Sequence, residues 1–181
     1  MSEAPRGSVE GSGDNFDRLW TPHRMSYIKG ESDSASESVA EGCPFCRAPS
    51  LDEVEGLVVA HGKTVYVVLN RYPYNSGHLL VCPYRHVSEY TDLDEDETIE
   101  LARYTQRCIT ALHAAFSPQG FNVGMNLGSV AGAGIAAHLH QHIVPRWGGD
   151  TNFMPVIGQT KVLPQLLEQS QELLWHHWPQ D

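Results

Sequence analysis

The stretch HLHQHIVPR, residues 138–146, constrains the chain more than any other. Its residues alternate with a period of two, the period of a β-strand and not of a helix. On a strand His138, His140 and His142 share one face, and Leu139, Gln141 and Ile143 share the other. Three imidazoles in a core row would each need a hydrogen-bond partner, so the row points to a site rather than to packing. Two chemistries suit it. Histidines two apart on a strand can both ligate zinc. Alternatively one attacks a substrate while its neighbours orient it and hold substrate charge. The loop just before the row, AGAG at 131–134, has two glycines that let backbone amides approach an anion. Asn126 and Ser129 stand just ahead of it. An anion-holding loop that runs into aligned imidazoles points to chemistry at phosphorus.

The rest of the chain supplies the other elements. Residues 1–42 read as a mostly disordered arm and linker: small and polar at 1–15, Ser, Glu and Gly at 29–42. Within it FDRLWTPHRMSYI (16–28) is aromatic enough to dock on the domain or on a second subunit. The domain proper spans 43–150. LVVAHG (57–62) and TVYVVLNRYP (64–73) predict two hairpin strands, and HLLVCPY (78–84) a third, stopped by Pro83. Residues 92–116 predict the best helix. Asp94 caps it, acids fill its first turn, and Ile99, Ala102, Ile109, Leu112 and Phe116 recur at helical spacing. FNVGMNLG (121–128) predicts a fourth strand and the histidine stretch a fifth. Residues 151–181 form a C-terminal extension with a helix over 161–178. Short turns between the early strands favour antiparallel pairing. The expectation is an α+β fold: a mainly antiparallel five-stranded sheet with the long helix and the C-terminal helix packed on it.

Composition excludes some partners. Acidic residues number 22 and basic ones 12, for a net charge of −10, and no basic patch advertises a nucleic-acid partner. No run reaches the roughly 18 apolar residues that span a bilayer, and the start shows no leader pattern, so no membrane partner and a cytoplasmic location are expected. In that compartment Cys43, Cys46, Cys82 and Cys108 are expected as thiols. Cys82 and Cys108 fall on apolar positions and read as core. CPFC at 43–46 reads as half of a tetrahedral zinc site or as a redox pair. The redox reading needs a strand before the pair and a helix starting at it. The Ser/Glu linker before and RAPSLDEVEG after offer neither, which favours metal.

His-x-His-x-His followed by two apolar residues, Pro and Arg resembles the signature of the histidine-triad superfamily of nucleotide hydrolases and transferases. NLGSVAGAGIAAHLHQHIVPRW, LNRYPYNSGHLLVCPYRHV and the helix between them fall in that family's order, over roughly residues 43–150. The chain most resembles the diadenosine polyphosphate hydrolase and phosphorylase branch, related to the fragile-histidine-triad proteins. The resemblance implies the histidine-triad (HIT) fold and a nucleotide substrate of the diadenosine tetraphosphate kind. It assigns His140 as nucleophile on the α-phosphorus, through a nucleotidyl-histidine intermediate resolved by water or by phosphate. By the same resemblance His142 contacts the α-phosphate or the leaving group. Asn70 holds the ribose, Asn126 lies on the phosphate side, and Gly132, Ala133 and Gly134 lend backbone amides. It also completes a structural zinc site of Cys43, Cys46, His86 (in PYRHV) and His138. Magnesium accompanying the nucleotide and a homodimer are further implications. His78 is either near the nucleotide or structural. The alternatives are a nucleoside phosphoramidase or another hydrolase that releases a nucleoside monophosphate, a nucleotide-binding or sensing protein, and a hydrolase with zinc on the triad itself.

Overall fold

The fold is built around two strands that are buried along their whole length: β2 (Val65–Leu69) and β3 (Leu79–Pro83). Such near-continuous apolar runs need cover on both faces. In the computed structural model, which describes residues 42–150 and 165–180, they form the centre of a five-stranded sheet. β1 (Val58–His61) pairs with β2, β3 pairs with β5 (Gln141–Arg146), and β5 pairs with β4 (Gly120–Met125). Every pairing is antiparallel and the order is β1-β2-β3-β5-β4, the α+β architecture expected from the sequence. The arm at 16–28 and the start of the expected C-terminal helix lie outside the described residues.

Two short helices precede the sheet, in a stretch to which the sequence reading assigned no element. α1 (Pro44–Arg47) starts on a proline, whose fixed φ suits the first helical position. A helix therefore does begin at Cys43, contrary to the sequence reading of CPFC. α2 (Glu53–Gly56) is capped by Asp52, whose carboxylate accepts from the amides of Val54 and Glu55.

The long helix α3 (Glu95–Phe116) starts as expected. Asp94 and Glu97 form a reciprocal capping box. Its inward face matches the expected one at Leu112, which is buried, and at Ile109 and Phe116, which pack against the core, but not at Ile99 and Ala102. Leu101, Tyr104, Cys108, Ala111 and Leu112 are buried, while Ile99 is 43% exposed. Glu97 is buried on the same stripe, where its carboxylate takes the Arg85 guanidinium. α4 (Leu167–His176) lies within the predicted 161–178. It joins the same core through Leu174. Its Gln171 amide donates to the carbonyls of Glu53 (2.6 Å) and Val58 (2.9 Å), and Trp175 Nε1 also donates to Val58. Among the described residues no helix is long and apolar enough to cross a membrane.

The strand register sorts side chains into two faces. Val67, Val81, Gln141 and Met125 lie across from one another, and Gln141 Nε2 reaches Thr105 Oγ1 on α3 at 2.6 Å. Val68, Leu80, His142 and Gly124 form the next row. They face away from α3. The second face carries the chemistry.

Candidate active site

The sheet places the histidine row, but only in part as a strand. β5 begins at Gln141, not at His138 as predicted. Upstream of it the backbone is held by the loop after β3: Leu139 N–H donates to the Val87 carbonyl at 2.6 Å. Each histidine thereby meets a different neighbour. His138 is fully buried, His140 is 6% exposed and His142 9%.

The hydrogen bonds fix which nitrogen of each ring carries its proton. His138 Nε2 lies 2.9 Å from the Pro83 carbonyl, which only accepts, so this nitrogen is the N–H. The Nδ1 lone pair then faces Cys43 Sγ and Cys46 Sγ, each at 3.4 Å. His140 Nδ1 lies 2.8 Å from its neighbour's carbonyl, that of His138, and is likewise the N–H. This leaves the His140 Nε2 lone pair available for attack.

The tautomer of His142 is set at one remove. The backbone N–H of Tyr74 donates to His78 Nδ1 at 3.0 Å, and Asn70 Nδ2 approaches the same nitrogen at 3.3 Å. His78 must therefore carry its proton on Nε2, which donates to His142 Nδ1 at 2.9 Å. His142 Nε2 is then an N–H, buried and without an acceptor among the described residues. One ring of the row thus presents a lone pair and the next a donor, with ring centroids 5.0 Å apart. Burial holds all three imidazoles below the ordinary histidine range: His138 and His142 to about 4, and His140 in the same direction, partly opposed by its bond to the His138 carbonyl. All three are neutral at physiological pH.

His78 is the residue the sequence left undecided. It is fully buried and bonded directly to the row. Its signal was the period of β3: His78 stands two residues before Leu80, the partner of His142.

The other expected site residues spread around the row. Met125, the last residue of β4, pairs with Gln141, so Asn126 follows directly where the ladder ends. Asn126 Nδ2 reaches the Gly132 carbonyl at 3.3 Å and closes the loop. That loop turns at Gly128 (φ 79°) and Gly132 (φ 91°), angles that exclude most side chains. The amides of Ala131 and Ala133 donate to the Gly128 carbonyl, and that of Gly132 to Ser129. Three of the four expected anion-facing amides are thus spent inside the loop, and Gly134 carries the fourth. Asn70 Oδ1 accepts from Tyr72 N–H at 3.0 Å, holding the turn that leads to His78.

Cys43, Cys46, His86 and His138 come together as the resemblance implied. Their ligand atoms all lie within 4.8 Å of one another, and the four could hold a metal ion. Cys46 Sγ is 3.2 Å from His86 Nδ1. A tetrahedral site with zinc bonds of about 2.3 Å to sulfur and about 2.0 Å to nitrogen has sulfur–nitrogen edges of about 3.6 Å, close to these spacings. The Pro83 carbonyl fixes the His138 tautomer that ligation needs. Burial, then the neighbouring Cys43, pushes the Cys46 thiol up to about 11. A divalent cation is what would keep it a thiolate. Cys82 and Cys108 are fully buried free thiols with pKa values raised by burial, as core residues.

This arrangement has relatives. The HIT domain family matches residues 52–149. The chain belongs to the HIT domain family. Among HIT relatives, an AP-4-A phosphorylase of Mycobacterium tuberculosis is 51% identical over 170 residues, covering 93% of this chain and 87% of that one. A hypothetical histidine triad nucleotide-binding protein from Sulfolobus tokodaii superposes with a TM-score of 0.62 at 30% identity, over 75% of this chain and 91% of the other. A Zn-bound histidine triad family protein from Mycobacterium smegmatis gives 0.60 at 25% identity, over 77% and 94%.

Proposed function

We propose that this HIT protein transfers the adenylyl group of a dinucleoside polyphosphate, diadenosine tetraphosphate in type, to inorganic phosphate. One observation carries the reading: the free lone pair of His140 Nε2 beside the acceptor-less N–H of His142 Nε2. His140 Nε2 attacks the α-phosphorus and forms a P–N bond. The P–O bond to the polyphosphate breaks, the electron pair leaves on that oxygen, and His142 N–H steadies the charge. Phosphate then attacks the same phosphorus. The P–N bond breaks, returning the pair to His140, and ADP departs. Water in place of phosphate would give AMP. The name of the Mycobacterium tuberculosis relative supports phosphate as the second acceptor. Asn70 and Asn126 are proposed to line the substrate, with Gly132, Ala133 and Gly134 as the loop beside its phosphates. Magnesium enters this reading only as a companion of the nucleotide, and no step here needs it.

The metal of the four-ligand cluster is proposed to be zinc, and structural. The Zn-bound relative supports the identity. The ligands close a tetrahedral set with no position left for substrate. Such an ion would tie the start of the domain to His138, two residues before the nucleophile. A homodimer belongs to the same proposal. β4 ends the sheet and exposes Val123 (47%). Four cysteines with no disulfide among them suit a reducing compartment, and the cytoplasm is the proposed location.

The test is product analysis on diadenosine tetraphosphate with and without inorganic phosphate. ADP plus ATP, formed only with phosphate, is expected. AMP plus ATP in both conditions would make the protein a hydrolase. Absence of cleavage in both would reject the reading.

A further inference from the structure

We propose that the ring of Tyr74 is the platform on which the base of the departing nucleotide stacks. This inference rests on the function proposed above and names a second substrate subsite.

The rings form a row. Phe45 lies 4.8 Å from His140, His140 lies 5.0 Å from His142, and Tyr74 lies 5.4 Å from His142, nearly parallel to it at 20°. His140 supplies the attacking nitrogen. The donor next to it is His142 Nε2–H, and charge in the first step develops on the leaving oxygen. The departing half therefore lies on the His142 side of His140, toward Tyr74 and away from Phe45. A dinucleoside substrate has a base on that half, and a mononucleoside ester has none.

Tyr74 is built for such a base. Its ring packs against His78 (4.7 Å) and His142, yet the residue is 49% exposed. So large a ring exposed beside a reacting centre is poorly explained by packing alone. The loop that presents it is fixed. Asn70 Oδ1 holds the Tyr72 amide, the Tyr74 amide is held by His78, Arg71 reaches the Glu55 carbonyl, and Asn75 reaches the Pro145 carbonyl and Asp150. A rigid aromatic face offers stacking at low ordering cost, and stacking tolerates any base because each has a π-face. The subsite thus takes the nucleobase of a nucleoside polyphosphate with little preference among bases.

The test compares two substrates in three proteins. kcat/KM is measured on diadenosine tetraphosphate and on the 4-nitrophenyl ester of adenosine monophosphate, whose leaving group has no nucleoside. Wild type, Tyr74→Leu and Tyr74→Phe are compared, with melting curves to check folding. In Tyr74→Leu the ratio of the two kcat/KM values is expected to fall about tenfold, in line with one base stack. Tyr74→Phe, which keeps a flat ring, is expected to hold the ratio. Equal loss on both substrates would overturn the proposal and leave Tyr74 as support for His142. An unchanged ratio with unchanged rates would overturn it too. A wild type that cleaves neither substrate would instead remove the proposed function, and the platform with it.

Discussion

Replacing His78 by leucine tests whether the row works through a fixed tautomer. In the structure His78 is a fully buried link between the Tyr74 amide and His142 Nδ1. Leucine fills similar space and removes both bonds, together with the 3.3 Å approach of Asn70 Nδ2 to His78 Nδ1. The Tyr74 amide sits in a half-exposed residue and can be rehydrated, so it adds little to the cost. His142 Nδ1 loses its donor in a buried setting, which costs about 1–3 kcal/mol. Urea denaturation with linear extrapolation reads this loss directly. The effect on turnover should be larger than the effect on binding. Without His78, His142 can move its proton to Nδ1, and the donor aimed at the leaving oxygen is lost from that fraction of molecules. Loss of one such donor costs about 10²–10³ in kcat, so a partial loss predicts a fall of about 10- to 100-fold with KM little changed. His78→Gln keeps an amide donor and should recover part of kcat. A His78→Leu enzyme that is destabilised yet keeps kcat within about twofold of wild type would refute the tautomer argument.

Other outcomes follow from the same geometry. Cys43→Ser should abolish stoichiometric zinc, read by elemental analysis, and lower the Tm by roughly 5–10 °C, the size expected for a few kcal/mol in a chain of this length; zinc retained at one per chain would reject the ligand set. The Arg146 guanidinium, with the amides of Trp147 and Asn75, holds the Asp150 carboxyl well below the usual carboxylate range. A depressed folded pKa gives stability that is present above the unfolded value, about 4, and is lost as pH falls through the folded one. The stability gap between wild type and Asp150→Asn should therefore be constant from neutral pH down to about 5 and narrow below about 4; a gap that widens with acid would contradict the pairing.

Much of the fold was legible because its periods are clean. The apolar runs of β2 and β3, the acid-started helix and its Asp94 cap gave the element order, and the antiparallel five-stranded sheet followed. The element ends were less legible. His138 and His140 keep strand-like alternation, but Leu139 pairs with the loop at Val87, a contact made possible only by the tertiary fold. The inward face of α3 was legible at Ile109, Leu112 and Phe116 but not in its first turns, where Ile99 is exposed. Glu97 is buried there, paired with Arg85, and no pattern of apolar residues encodes that. At the site, the metal cluster came from family positions and the geometry gathers the same four residues. The 131–134 loop is different. Its composition suggested free amides, and the structure spends three of them on its own turns. The relay from Tyr74 through His78 to His142 was not visible, since it joins positions 64 residues apart in the chain.

The central claim is that His140 carries the adenylyl group. Rapid mixing with diadenosine tetraphosphate in the absence of phosphate, followed by denaturing quench at alkaline pH and peptide mass spectrometry, tests it directly. The expected result is one adenylyl group on the peptide containing residues 138–146, placed on His140 by fragmentation, discharged as ADP when phosphate is added, and absent in His140→Asn. An adenylyl group on another residue, or a His140→Asn enzyme that still cleaves the substrate at the wild-type rate, would contradict the account.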